Sequence, residues 1–275
     1  MEVFAATEAM RGADVVVVRA SAGVMWELPL WRHRPKNVHV AGVGGDGSAT
    51  TDGPVARHRS EIPREHRTAL FGIACTTRER TVVDLACTTR LETAVAAADA
   101  AMRQIAWDPV AREYDASAAD AFRTGLHAVI GARAGARGIR RARFVADFAD
   151  GRAESPLESV SRVYFSALGF APPRLQVPLP GPNGERLRVE FGLDEFDAWG
   201  ECDGDGKYHD RSQNGGRTAE QVFAAEKRRE DWIRATTGRR FVRWGASDLT
   251  DLHTFEAFLR RRGLVSRHPW RPMPW

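Results

Sequence analysis

The run of elements between Ser155 and Leu264 constrains this chain more than any other feature. The segment SPLESVSRVYFSALGF opens with a helix signal. Ser155 is suited to the cap, Pro156 to the first helical position and Glu158 to the third. Gly169 supplies the stop. RLQVPL then reads as a strand, PGPNGE as a turn, RLRVEFGL as an alternating strand and AWGECDG as a third strand closed by Asp-Gly-Asp-Gly. A long helix is expected over Thr218–Thr236, a short strand over Arg240–Trp244 and a last helix over Leu249–Arg262. The order αβββαβ predicts an α/β (α+β) unit, a mixed sheet flanked by helices.

Alternation along a strand places Trp199, Glu201 and Asp203 on one face, and Gly200, Cys202 and Gly204 on the other. If the second and third strands pair, Glu190 faces Glu201 across the ladder. Three carboxylates so gathered repel one another unless a positive charge intervenes. A hard divalent cation such as Mg²⁺, or Mn²⁺, takes oxygen ligands of this kind and activates water beside a phosphate. Each residue also has a plainer reading. Glu158 completes a capping box with Ser155, Glu190 pairs with Arg188 or another arginine, and Glu201 and Asp203 lie on a solvated face or in turn chemistry. A calcium loop is excluded, because Lys207 stands where a third oxygen ligand belongs.

Upstream the pattern is more mixed. A short helix is expected near Val3–Arg11, a strand at NVHVAGV and a loop at Gly44–Gly53. Thr81–Ala86, Leu91–Arg103 and Asp115–Gly131 have helical spacing. GARAGARGIRRAR, residues 131–143, holds five arginines and no acid, and reads as a loop entering a basic helix. It is either a solvated surface or a phosphate-contacting patch. The domain plan expected is a mixed α/β region over 1–105, a helical connector over 106–154, the αβββαβ domain over 155–264 and a tail over 265–275.

Composition narrows the function classes. The chain has 275 residues, a net charge of +4 and a pI of about 9.3, mildly basic and compatible with nucleic acid. Only Lys36, Lys207 and Lys227 are lysine among 40 basic residues, so a role that needs lysine has few candidates. Cys75, Cys87 and Cys202 lack the spacing of a zinc site or a disulfide framework. No apolar run approaches membrane-helix length, and MEVFAATEAMRGAD lacks the pattern of a secretory signal, so a cytoplasmic protein without a membrane partner is expected.

The ordered set ESPLES, RVEF, GECDG, KYH, AEKRREDWIR and FVRW resembles a domain related to the very-short-patch-repair endonucleases, in the PD-(D/E)XK nuclease superfamily. Upstream, LPLW, NVHV, ERTVVDLA and LETAVAAADAAMR look like the region preceding that domain in proteins similar to AbiEi-type antitoxins, where a winged helix usually comes first; this chain starts too late to hold a complete one. The resemblance implies a restriction-endonuclease-like core and a Mg²⁺- or Mn²⁺-dependent endodeoxyribonuclease acting on DNA. It implies that Glu158 is an auxiliary acid and that Glu190, in a position usually held by Asp, is a metal ligand. It makes Glu201 a second ligand and places Asp203 where the superfamily has its lysine. Lys207 or Lys227, with Arg229 as helper, then supplies the positive charge. The alternative is a catalytically inactive nuclease fold serving as a DNA-binding regulator.

Overall fold

The computed structural model describes residues 15–42, 50–203 and 218–275. The helix expected near Val3–Arg11, most of the Gly44–Gly53 loop and Lys207 lie outside the described residues. The chain divides into two compact units, the first ending at Pro156 and including Pro274–Trp275, the second covering Leu157–Met273.

In the first unit the strands are β1 (Val15–Val17), β2 (Val38–Gly42), β3 (Thr50–Asp52), β4 (Val55–His58), β5 (Arg67–Leu70) and β6 (Ile73–Thr76). They form one mixed sheet in the order β3-β4-β2-β1-β6-β5. β1 runs antiparallel to β2 and parallel to β6, with Val17 opposite Cys75. The β-branched run at 15–18 alternates as such a strand must. Val17 packs with Ala22, Met25, Val38, Val40 and Cys75, whereas Val16 and Val18 pack with Ala41 and Ile62. A helix α1 (Arg19–Met25) follows β1 directly, and α2 (Arg78–Thr88) follows β6, capped by the Thr77 side chain on the Arg80 N–H.

α3 (Leu91–Ala106) is alanine-rich and buried along most of its length, so small side chains let its neighbours approach closely. A two-stranded ribbon of β7 (Trp107–Asp108) and β8 (Glu113–Tyr114) leads to α4 (Ala116–Gly131) and α5 (Ile139–Phe148). Residues 106–154 are thus part of the first unit's packing. Asp99, 1% exposed, accepts the Asp150 N–H at 2.8 Å, and a Cβ on Gly151 would lie 2.7 Å from the Arg103 nitrogen. That close approach explains the glycine.

The second unit has the order α6 (Pro156–Ala167), β9 (Arg174–Pro180), β10 (Arg186–Leu193), β11 (Ala198–Asp203), α7 (Ala219–Thr237), β12 (Arg240–Gly245) and α8 (Leu252–Arg261). This is a helix, three strands, a helix and a strand. The sheet is mixed, in the order β12-β11-β10-β9, with β11 and β12 parallel and the other pairs antiparallel. On one face Val177, Val189 and Trp199 meet Ile233 of α7. On the other, Phe191 and Trp244 pack with Phe165 of α6 and Phe255 of α8. Gly200 sits beneath the Trp244 ring, which a Cβ would meet at 2.5 Å. The Trp244 Nε1 donates to Ser161 Oγ at 2.8 Å, which satisfies the one polar atom of a buried ring. Among the described residues no helix is long and apolar enough to cross a membrane.

Candidate functional site

β11 alternates as its sequence requires. Trp199 contacts the α7 side, and the Cys202 Sγ lies 3.4 Å from Ser161 Oγ on the α6 side. Glu201 therefore points toward α7 and is 5% exposed. Its Oε1 accepts from Arg229 of α7, and its Oε2 lies 2.7 Å from an Nη of Arg243 of β12. Arg243 also reaches Asp203 at 3.1 Å, Glu226 at 2.9 Å and Glu230 at 3.0 Å. Arg229 holds Glu226 and donates to the Arg188 carbonyl at 2.7 Å. Burial pushes the Glu201 carboxyl above its usual range, against the pull of Arg229 and Arg243. For Glu226 burial acts in the same sense, but the hydrogen bonds and charges of the two arginines outweigh it and hold the carboxyl at about 2.

Glu190 does not stand opposite Glu201 in a regular ladder. The β10–β11 pairing runs from Leu193↔Ala198 to Phe191↔Gly200 and ends there. Glu190 Oε2 instead accepts the Cys202 N–H at 2.5 Å. The cause lies one strand away. Gln176 of β9 has a left-handed φ of +48°, and the β9–β10 register skips the pair it would make with Glu190. Val189 and Phe191 have the same parity yet pack on opposite faces, so alternation is interrupted at Glu190. The Gln176 side chain reaches α6 and donates to Glu158 Oε2 at 3.0 Å. Glu158 is 1% exposed.

The expected residues thus separate into groups. Glu201 and Asp203 share Arg243, Glu190 holds the backbone of Cys202, and Glu158 receives Gln176. Lys227 is exposed on α7. Arg229, read from the sequence as a helper, is a direct partner of Glu201. Arg243, Glu226 and Glu230 were missed. Helical spacing pointed to Glu226 and Glu230, which fall with Arg229 at i, i+4 and i+3, whereas Arg243 is found only once β12 is placed beside β11. Among the described residues no three His, Cys, Asp or Glu side chains are grouped to hold a metal ion.

In the basic stretch 131–143, two arginines are tied down. Arg133 binds Asp84 at 2.5 Å, and Arg141 donates to the carbonyls of Ala86 at 2.6 Å and Cys87 at 3.1 Å. Arg137, Arg140 and Arg143 are exposed. Arg137 and Arg140 line an open groove of about 850 Å³ together with Trp275.

These features define a mixed α/β protein whose C-terminal four-stranded sheet carries a buried carboxylate–arginine network. No family model matches the chain, and no solved structure matches it. The chain is 42% identical over 69 residues to the uncharacterized protein Rv2248 of Mycobacterium tuberculosis strain H37Rv, and equally to the uncharacterized protein MT2308 of strain CDC 1551. The match covers 25% of this chain and 26% of each relative, so the chain spans about a quarter of the length of the curated relatives it matches.

Proposed function

We propose that the second unit is a nuclease-type domain that acts on DNA phosphodiesters with Mg²⁺ or Mn²⁺. The observation that carries this reading is the αβββαβ order with acidic residues on its first helix and on its second and third strands, Glu158 on α6, Glu190 on β10 and Asp203 at the end of β11. Glu190 reaches the backbone one residue before Asp203, whose side chain is 42% exposed. Glu201 fits a ligand role less well, because both of its oxygens are committed to guanidinium groups. The described carboxylates do not by themselves form a divalent-cation site. The exposed Arg137, Arg140 and Arg143 supply sequence-independent attraction for phosphate backbone.

The arginine pairing of Glu201 favours a second reading, a nuclease fold that binds DNA without cutting it. Supercoiled plasmid incubated with Mg²⁺ or Mn²⁺ separates the two. Wild-type nicking that disappears in Glu190→Gln supports the hydrolytic reading. No nicking with either cation, beside DNA binding that weakens with salt, assigns the non-cutting one. Glu190→Gln is a better variant than Glu201→Gln, whose loss of activity would also follow from a disturbed fold.

A further inference from the structure

We propose that the first unit carries a phosphate-binding site in which Arg19, Arg80 and Arg133 converge around Asp84. It is independent of the nuclease reading, since all four residues belong to the first unit.

The topology brings these side chains together. β1 and β6 are parallel neighbours, so the chain leaves both strands at the same end of the sheet. Arg19 follows β1, Arg80 lies in the first turn of α2, and Arg133 comes just after α4. Asp84, 5% exposed, orients two of them. Its oxygens both accept from Arg80 Nε at 3.1 Å, and Oδ1 also accepts from Arg133 at 2.5 Å.

What remains is a set of donors without acceptors. Arg80 is 7% exposed, and among the described residues its terminal Nη atoms make no hydrogen bond to protein and keep contact with solvent. The half-buried Arg19 guanidinium makes none either. Arg19 is held at a φ of +54°, a left-handed conformation costly for a residue with a Cβ. Burial lowers its affinity for a proton, and the charges of Arg133 and Arg80 act the same way against Asp84. Among the described residues three guanidinium charges face the Asp84 carboxylate, and the nearby His39, His58 and His66 are all held toward their neutral forms by burial. One buried and two partly buried cations in such surplus are favoured by an anion that joins them. A phosphate group carries close to the missing charge, and guanidinium forks bind its oxygens in pairs.

The test is thermal unfolding of the full chain in inorganic phosphate and in chloride at equal ionic strength, for wild type, Arg19→Gln and Arg133→Gln. Among the described residues the Arg19 side chain makes no hydrogen bond, so Arg19→Gln should fold, which circular dichroism checks. Phosphate is expected to raise the wild-type midpoint, with affinity weakened by about tenfold or more in Arg19→Gln. Equal responses to phosphate and chloride, or an undiminished phosphate response in Arg19→Gln, overturn the proposal. Competition by a 5′-phosphorylated oligonucleotide, but not by its unphosphorylated twin, makes the source a nucleic-acid end. Binding of inorganic phosphate alone makes it a small phosphate compound.

Discussion

His58 shows how one residue's surroundings become a property of the fold. It is 9% exposed, hydrogen-bonds His39 at 2.8 Å and has its pKa lowered to about 4 by burial, with Arg19 and His39 adding to the effect. Between pH 6.5 and about 4 the folded unit binds fewer protons than the unfolded chain, so stability falls as pH drops through that window and levels off below it. The loss expected is on the order of 3 kcal/mol. Denaturant titrations across the window check this, and His58→Asn should flatten the curve. A wild-type curve that is already flat refutes it. At the same scale the site was only partly legible. Acidic residues on the first helix and on two strands of the second unit were visible in the sequence, but their partners were not. Glu201 reads as a free ligand until β12 is placed beside β11, which puts Arg243 opposite it.

At the scale of elements, the second unit was largely readable. RLRVEFGL is β10 from end to end, and the expected helices and strands differ from α7, β12 and α8 by a few residues at most. Strong alternation and clear turn residues explain that success. The first sheet was harder, because β3 to β6 have only three or four residues each and segments such as RTAL and IACT carry little periodicity. The break in β10 was invisible for another reason. It originates in a left-handed glutamine on a neighbouring strand, where sequence rules look for glycine. Gly200, in contrast, holds its position by contact. Gly200→Ala drives a methyl group into the buried Trp244 ring and should cost about 2 kcal/mol, measured by chemical denaturation. An unchanged midpoint would show that the ring moves aside freely.

At the scale of the whole molecule, two units with their own cores predict two separable unfolding events. Glu201→Gln weakens the charge that holds Arg229 and Arg243 and should destabilise the second unit by about 3 kcal/mol. Scanning calorimetry should then show one transition moved to lower temperature and the other in place. A single transition that shifts as a whole would mean that the units unfold as one.

The placement of Arg243 also has a consequence for synthesis. A ribosome releases Glu201 before either of the guanidinium groups that neutralise it, and Gly200 before the ring that covers it. Three strands of the second sheet therefore emerge with an uncompensated carboxylate at the centre of their growing core. Arg229 arrives with α7, and Arg243 only when β12 comes beside β11. The nascent chain passes through an interval in which its earlier unit has all of its sequence but Pro274–Trp275 and its later one waits for its last strand.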